Sequence, residues 1–298
     1  IGQSITRGEG PNKVTGKSIY TADVSLPGML WGKILRSPYP YARIVSIDKS
    51  KAEALPGVYA VVTSQDIPET KIGRRMVDMP ILAQGVVRFV GEKVAAVAAE
   101  SRDICDEALL LIEVEYEELD AVFDAENAMD PSAPNLHPDM ESYKGLPQPP
   151  SGIRNTFAHM TWEKGDIEQG FKDSDLIFEH SFNAQLMHQA YIEPHACLVD
   201  ASPSAEGGQV NIWANNKDPY MLRDQVSLAW NVPTESIVLH PTAIGGDFGG
   251  KGSFMDVPLC YYLSKHSGRP VKIVMDYIQE LMAGNPRHPA VMTIKTGV

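Results

Sequence analysis

The sequence predicts a mixed α/β (α+β) protein with two domains, and two observations indicate this fold class. Short runs of β-branched and aromatic residues alternate with helix-like segments, which is typical of mixed α/β folds. Prolines and glycines crowd residues 125–155, as expected of an extended linker on the surface. We therefore place one domain at residues 1–124 and a second at residues 156–298. The length of 298 residues agrees with two domains of about 150 residues each.

The first domain is predicted to contain several short strands and one helix. Residues 102–111 place acidic side chains before apolar ones, which favours a helix. Residues 112–117 alternate apolar and charged side chains, which is the period of a half-buried strand. The other strands are short and separated by Gly, Pro or Asp, and we expect them at residues 20–24, 31–36, 42–47, 58–62 and 94–99.

The second domain is also predicted to be mixed. Residues 219–230 favour a helix, because a proline stands at its start and apolar residues recur on one face. A second helix is expected at residues 255–265. Strands are expected at residues 176–182, 210–214, 236–240, 271–275 and 290–297. Because the chain starts at Ile1 and stops directly after an extended segment, we expect this domain to be incomplete at its C-terminal end.

Composition excludes several classes of protein. The net charge of −12 argues against a nucleic-acid partner, because binding phosphates needs a basic surface. No apolar run approaches the roughly 18 residues that span a bilayer. Cys105, Cys197 and Cys260 stand far apart, so this chain alone builds no iron–sulfur or zinc site. Free thiols favour a cytoplasmic location, and a periplasmic one stays open in case a signal peptide has been removed.

The strongest local feature is a glycine loop at residues 245–252, with five glycines in eight residues. Each glycine costs backbone entropy on folding, so the cluster indicates positive φ angles or a close approach of backbone to a ligand. The loop lies between a predicted strand and a predicted helix, where free N–H groups and the helix dipole favour an anion. A turn without a ligand is the alternative, and it accounts less well for five glycines and a lysine.

A nucleotide-binding P-loop is a competing interpretation of the same loop. Gly245, Gly250 and Lys251 match the first part of G-x-x-x-x-G-K-[ST]. The match fails at Gly252, where the hydroxyl that should bind magnesium is missing. Asp247 would also place a carboxylate among the phosphates. We therefore rank a P-loop NTPase well below other anion-binding functions.

The loop resembles the G-G-G-F-G-G-K segment of molybdenum hydroxylases, the family of xanthine dehydrogenase and aldehyde oxidase. Similar segments recur in family order at residues 13–23, 26–30, 90–97, 114–119, 192–194, 268–272 and 285–289. The resemblance implies an α/β hammerhead domain over residues 1–124. It also implies that residues 156–298 are the first part of the molybdopterin-binding domain of the large subunit.

The family resemblance also implies a cofactor and a set of binding residues. The cofactor is a molybdopterin carrying molybdenum, in its plain form or as the cytosine dinucleotide. The residues implied to bind it are Gly245, Gly246, Asp247, Phe248, Gly249, Gly250 and Lys217, supported from behind by His188, Gln189 and Lys251. No side chain is expected to ligate the metal. No catalytic residue is assigned, because the family's general-base glutamate lies in a C-terminal domain outside this chain.

The implied function is hydroxylation of an aldehyde or N-heteroaromatic substrate with water as the oxygen source. Electrons would pass to 2Fe–2S clusters and FAD on partner subunits of a hetero-oligomer, which also needs the C-terminal molybdopterin-binding part. Three residues depart from the family pattern: Lys217 replaces a glutamine, Asp247 a glycine, and Gly252 the glutamate of xanthine-oxidising members. Gly252 argues against xanthine as the substrate. A non-catalytic subunit that holds or assembles the cofactor is the alternative.

Overall fold

A computed structural model describes residues 2–147, 151–202 and 207–298. The helices there are α1 (Gly10–Val14), α2 (Ser50–Glu53), α3 (Arg102–Leu110), α4 (Ala125–Ala128), α5 (Ile167–Lys172), α6 (Pro219–Trp230), α7 (Val257–Ser267) and α8 (Tyr277–Ala283). The strands are β1 (Leu30–Arg36), β2 (Ala42–Asp48), β3 (Val58–Thr63), β4 (Lys71–Ile72), β5 (Met79–Pro80), β6 (Val86–Val87), β7 (Lys93–Ala99), β8 (Glu113–Glu118), β9 (Ile177–Ala184), β10 (Ala196–Asp200), β11 (Val210–Ala214), β12 (Ile237–His240), β13 (Val271–Val274) and β14 (Ala290–Gly297).

One seven-stranded sheet takes strands from both of the predicted domains, in the order β12-β11-β10-β13-β1-β7-β3. The two stretches of chain meet where β1 pairs with β13 in parallel, with Leu30 opposite Val271. On its other side β1 runs antiparallel to β7. The sheet therefore fixes the N-terminal strands directly against the strands that carry the glycine loop.

Helices cover both faces of this sheet, which explains the continuous apolar sequence of β7. Ala96 and Ala98 face the larger core, which α6 and α7 complete. Ala95, Val97 and Ala99 face a second core, which α2 and α3 complete. A strand buried on both faces needs apolar residues at every position rather than at alternate ones. The predicted strand at residues 94–99 is thus confirmed.

Most predicted elements are confirmed within a few residues, but the strand expected at residues 20–24 is wrong. That segment forms a short 3-10 helix, Thr21–Asp23, because the Asp23 carboxylate accepts a hydrogen bond from Tyr20 N–H and folds the chain back. Strand β10 and helix α8 were not predicted from the sequence. Helix α8 begins at a capping box in which Asp276 accepts from the N–H of Gln279.

The proline-rich stretch at residues 125–155 is partly folded. It contains helix α4 and a 3-10 turn, Met140–Ser142. The side chains of Tyr143 and Leu146 are buried. Pro149 and Pro150, which contributed to the linker prediction, lie outside the described residues. Across the parts of the chain that are described, no helix is long and apolar enough to cross a bilayer.

Gly32 lies where β1 crosses the core, and it leaves no room for a side chain. A Cβ atom there would lie 2.7 Å from Ile273 Cγ1 and 2.9 Å from Val271 Cγ1. We expect Gly32→Val to lower the free energy of unfolding by about 2 kcal/mol, because overpacking forces neighbouring side chains to move. Urea unfolding measures this. Gly170→Ala in α5 is the control, since nothing lies within 4 Å of its Cβ position, and equal midpoints for both variants would contradict the prediction.

Candidate functional site

The glycine loop connects β12 to α7, and its glycines are required by backbone conformation and by packing. Gly246 and Gly249 have φ angles of +96° and +95°, which side-chain-bearing residues rarely adopt. At Gly250, a Cβ atom would lie 2.5 Å from Cε1 of the buried Tyr191. Phe248 adopts a φ of +44° and exposes 67% of its surface. Such a strained and exposed aromatic residue is typical of a functional site.

Asp247 closes the loop on itself instead of facing outward. Its carboxylate accepts hydrogen bonds from the N–H groups of Gly249, at 3.0 Å, and Lys251, at 2.6 Å. Its Oδ2 also lies 3.2 Å from Nζ of Lys217. Partial burial works against the charge, but these hydrogen bonds outweigh it and lower the pKa of Asp247. Lys217 and Asp247 are therefore partners in one ion pair.

A buried ion pair between Lys251 and Glu193 holds the two ends of the loop together. The Lys251 side chain is fully buried, and its Nζ lies 2.5 Å from Glu193 Oε2. The same carboxylate oxygen accepts a hydrogen bond from Gly245 N–H at 2.7 Å. Because removing either partner would leave a buried charge unpaired, this contact holds the loop in one conformation. Lys251 is thus engaged inside the protein and does not project toward a ligand.

Three successive backbone N–H groups of the loop, those of Gly246, Asp247 and Phe248, have no acceptor among the described residues. The N–H groups of Gly245, Gly249, Gly250 and Lys251 are all used within the protein. Oε1 of Gln189 is likewise buried without a donor, and it lies 3.1 Å from the Cβ position of Gly250. Oε1 of Glu193, whose other oxygen binds the loop, is also buried without a donor. The site therefore offers a run of donors to a ligand, next to buried acceptor atoms.

Glu280 on α8 organises the side chains behind the loop. It is fully buried and accepts hydrogen bonds from Tyr191 OH at 2.5 Å and from the N–H of His195 at 2.6 Å. Nδ1 of His195 lies 2.8 Å from it, and Nε2 of His188 lies 3.3 Å from it. Nδ1 of His188 accepts from Ala190 N–H, so the proton of this ring is on Nε2, facing Glu280.

The charge of Glu280 is stabilised by these donors. Burial opposes ionisation, but the hydrogen bonds and charge of His195 and the hydroxyl of Tyr191 outweigh it and lower the pKa of Glu280 to about 2. The pKa of Tyr191 is raised by burial and by the same carboxylate. Tyr191 packs against Gly246 and Gly250. Glu280 and the side chains bound to it therefore support the loop from inside the protein.

The structure brings most of the sequence-predicted residues into this one region. Lys217, Gln189 and Lys251 contact the loop or lie beside it, whereas His188 lies behind it, at Glu280. Sequence reasoning did not include Glu193, Glu280 or Arg287 among the binding residues. Nη2 of Arg287 donates to the Phe248 carbonyl at 3.0 Å. Glu193 could have been found from the sequence, because it lies in segment 192–194, one of the segments that carry the resemblance. Glu280 had none, because its partners are distant in the sequence.

The geometry does not favour nucleotide binding at the loop. A P-loop lysine must reach phosphate oxygens, but Lys251 is paired with Glu193 inside the protein. Asp276 follows β13, at the kind of position where a P-loop protein has its magnesium-binding aspartate, but here it caps α8. Within the described parts of the chain, no cluster of three or more His, Cys, Asp or Glu side chains is arranged to hold a metal ion.

Comparison with known families matches nearly the whole chain. Residues 150–298 match the molybdopterin cofactor-binding domain. Residues 15–120 match the a/b hammerhead domain of aldehyde oxidase and xanthine dehydrogenase. Among curated relatives, a probable xanthine dehydrogenase subunit of Bacillus subtilis is 39% identical over 99% of this chain and 37% of its own length. The nicotinate dehydrogenase large molybdopterin subunit of Eubacterium barkeri is 32% identical, over the whole chain and 66% of its own length.

Solved structures agree with these matches. Reconstituted CO dehydrogenase from Oligotropha carboxidovorans superposes with a TM-score of 0.89 at 32% identity, over the whole chain and 37% of its own. Quinoline 2-oxidoreductase from Pseudomonas putida 86 superposes with a TM-score of 0.82 at 30% identity, over 98% of this chain and 37% of its own. The chain thus spans between about a third and two thirds of the length of these relatives. The chain belongs to the aldehyde oxidase and xanthine dehydrogenase family of molybdenum hydroxylases, and it corresponds to part of their large subunit.

Proposed function

We propose that this chain holds a molybdopterin in a molybdenum hydroxylase that acts on an aldehyde or N-heteroaromatic compound, with water as the oxygen source. The observation that carries the proposal is the glycine loop, with its three successive unused N–H groups at Gly246, Asp247 and Phe248. Such a run of successive N–H groups in a loop favours a ligand rich in anionic oxygen atoms. The family match over residues 150–298 supports the same ligand.

The residues present fit this cofactor. The unused N–H groups suit its oxygen atoms, and the buried Gln189 Oε1 supplies the acceptor that a ring N–H of a pterin requires. Gly246, Asp247, Phe248 and Gln189 would hold the group, and Gly249 would keep the loop in the conformation that presents them. When bound, it supplies the two-electron redox chemistry of the reaction, while the protein supplies orientation and electrostatics. Whether it is the plain form or the cytosine dinucleotide, the same loop would bind it.

The chain's own side chains keep this loop rigid. Glu193 and Lys251 fix the two ends of the loop. The Asp247 carboxylate binds the N–H groups of Gly249 and Lys251 and the side chain of Lys217. A rigid loop holds its donors in place before the ligand arrives, so little reorganisation is needed on binding or during the reaction. We assign no general base to this chain and expect that group in the C-terminal molybdopterin-binding part.

The partners in this proposal are a subunit with 2Fe–2S clusters and a subunit with FAD, in a hetero-oligomer. Cys105, Cys197 and Cys260 are free and buried, and three thiols are fewer than the four that hold a 2Fe–2S cluster. Burial raises the pKa of the Cys105 thiol to about 11, so it stays protonated and unreactive. Three free thiols support placing the protein in the cytoplasm.

Elemental analysis of the natively purified complex tests the proposal. We expect about one molybdenum per copy of this chain, because the cofactor performs the redox chemistry. We also expect several iron atoms, which belong to the 2Fe–2S clusters of the partner subunit. Complex from cells that cannot make molybdopterin is the control and should lack molybdenum. Absence of molybdenum from cells able to make the cofactor would overturn the proposal. Molybdenum without turnover of any aldehyde or N-heteroaromatic compound would favour a non-catalytic, cofactor-holding subunit.

A further inference from the structure

Strands β9 and β14 form a two-stranded ribbon that is separate from the seven-stranded sheet. The strands pair antiparallel over eight residues each, from Ile177 opposite Gly297 to Ala184 opposite Ala290. Every residue of β9 is exposed, and so is every residue of β14 except Gly297. A ribbon of two strands is only marginally stable in water, and it needs a further strand or a packed layer beside it. The ribbon therefore has a surface that is available for packing.

The two faces of the ribbon differ in chemistry. Directly opposed residues point to the same face, and the faces alternate along each strand. One face carries a hydrogen bond between Ser181 and Thr293 at 2.8 Å and an ion pair between Glu179 and Lys295 at 3.4 Å. Helix α5 lies on this side, with Lys295 Nζ 5.4 Å from the ring centre of Phe171. This polar face, which has one aliphatic residue near each end, therefore has its polar groups paired within the chain.

The opposite face is apolar, and we define the apolar face by Phe178, Phe182, Met292 and Ile294. Met292 lies directly opposite Phe182, so the large side chains of the two strands are neighbours. The four side chains are 48%, 51%, 45% and 52% exposed, in that order. The other positions on this face hold alanine, threonine and one histidine, so it carries no carboxylate, ammonium or guanidinium group. A contiguous exposed apolar surface of this kind marks an interaction site.

The ribbon leads to the glycine loop. Just beyond the strand ends, Met187 and Arg287 exchange two backbone hydrogen bonds, of 3.1 and 2.8 Å. The Nη2 of Arg287 then donates to the Phe248 carbonyl at 3.0 Å. Leu186 and Met187 are also exposed, so apolar surface continues from the strands toward the loop. A partner that covers this surface therefore comes next to the residues that would hold the cofactor.

We propose that the apolar face docks the C-terminal molybdopterin-binding part of the enzyme, through an apolar layer of strands or helices on that part. The proposal rests on the proposed function and adds to it the surface at which the two parts meet. The length of the relatives supports this partner. More than half of the Bacillus subtilis relative, and more than half of the CO dehydrogenase chain, lies outside the match to this chain.

The chemistry of the apolar face favours this partner over the other candidates. Interfaces between permanent partners are more hydrophobic than those of transient complexes, and electron-transfer contacts are among the smallest. A face without charged groups therefore suits another part of the same enzyme core better than it suits the iron–sulfur or FAD subunit. A second copy of the chain is also disfavoured, because two chains that each carry a net charge of −12 repel one another.

Site-specific photocrosslinking of the natively purified complex tests which partner covers the face. A benzophenone amino acid replaces Met292 on the apolar face or, as the matched control, Thr293 on the polar face; the two positions are adjacent in β14. Mass spectrometry of the crosslinked peptides identifies the attached segment, whether it belongs to the same chain or to another. We expect the probe at position 292 to attach to the C-terminal part about tenfold more often than the probe at position 293, because attachment needs direct contact.

Three other results would overturn the proposal. The probe at position 292 could attach mainly to a second copy of the chain, or mainly to the iron–sulfur or FAD subunit. It could also attach to nothing, which would mean that the face stays uncovered in the complex. Equal attachment to the C-terminal part from both positions would remove the distinction between the faces, and the proposal with it.

A charge placed beside the probe tests whether the contact is apolar. With the probe at position 292, Phe182→Glu puts a carboxylate directly opposite it, and burying that group against an apolar partner is costly. We expect the yield of the crosslink to the C-terminal part to fall about tenfold. Asn183→Glu is the matched control, because it adds the same charge one residue away on the polar face, and it should leave the yield unchanged. Equal yields in the two variants would contradict an apolar contact.

Molybdenum analysis of the complex without the probe separates this proposal from the proposed function. A complex that holds molybdenum, but gives no crosslink from position 292 to the C-terminal part, overturns the docking surface alone. A complex that gives this crosslink without holding molybdenum supports the docking surface and overturns the proposed function.

Discussion

Gly249→Val is expected to abolish retention of molybdopterin by the purified complex. Gly249 has a φ of +95°, which β-branched residues avoid. A Cβ atom there would lie 3.2 Å from Arg287 Nη2, and the N–H of Gly249 holds Asp247. The loop must rearrange to relieve strain of about 1–3 kcal/mol, and its unused N–H groups then lose their positions. Elemental analysis should find molybdenum only at background level.

Gly16→Val is the matched control for this variant. Gly16 also has a positive φ, +71°, and nothing lies within 4 Å of its Cβ position. The control therefore carries similar backbone strain away from the loop, and it should keep its molybdenum. Circular dichroism of both proteins checks that they are folded. If Gly249→Val kept its molybdenum as well, the loop would not be what holds the cofactor.

Glu280→Leu is expected to lower the free energy of unfolding by about 3 kcal/mol, because it leaves several buried donors without an acceptor. The groups affected are Tyr191 OH and both the N–H and Nδ1 of His195. Urea unfolding monitored by fluorescence measures the loss. Glu107→Leu on α3 is the control, because Glu107 is exposed, and surface changes of this kind usually stay within about 0.5 kcal/mol. Equal losses in the two variants would refute the role of Glu280.

The same residue predicts a pH dependence of stability. The pKa of Glu280 is lowered from 4.5 to about 2, so the folded state binds this proton more weakly than the unfolded chain does. Its contribution is therefore complete above about pH 4.5 and is lost as the pH falls toward 2. We expect the difference in stability between the natural protein and Glu280→Gln to shrink over this range. A difference that stays constant from pH 6 to about pH 3 would contradict the assignment.

Local patterns were enough to predict many of the elements and the position of the loop. Helix α6 was predicted at its observed bounds, because a proline starts it and apolar residues follow with helical spacing. The apolar run of β7 predicted a strand, and the structure explains the run, because helices cover both faces of this strand. The glycine loop was recognised because so dense a cluster of glycines indicates positive φ angles or a backbone that approaches a ligand closely. Each of these features depends on residues that are close together in the sequence, so the sequence alone is enough to predict it.

Composition failed to predict two elements, one because of a side-chain hydrogen bond and one because of its place in the sheet. Residues 20–24 have the composition of a strand, but the Asp23 carboxylate turns them into a 3-10 helix. Strand β10 has only five residues, and its place between β11 and β13 defines it more than its composition does.

The sequence by itself determined the fold class, the family and the loop, because each is encoded in short patterns or in their order along the chain. Only the tertiary structure decided what the charged side chains do. It paired Lys217 with Asp247, buried Lys251 against Glu193, and placed Glu280 beneath Tyr191. Residues far apart in the chain make these contacts, so they depend on which strands and helices meet. The free energy of burying a charge then selects the partner.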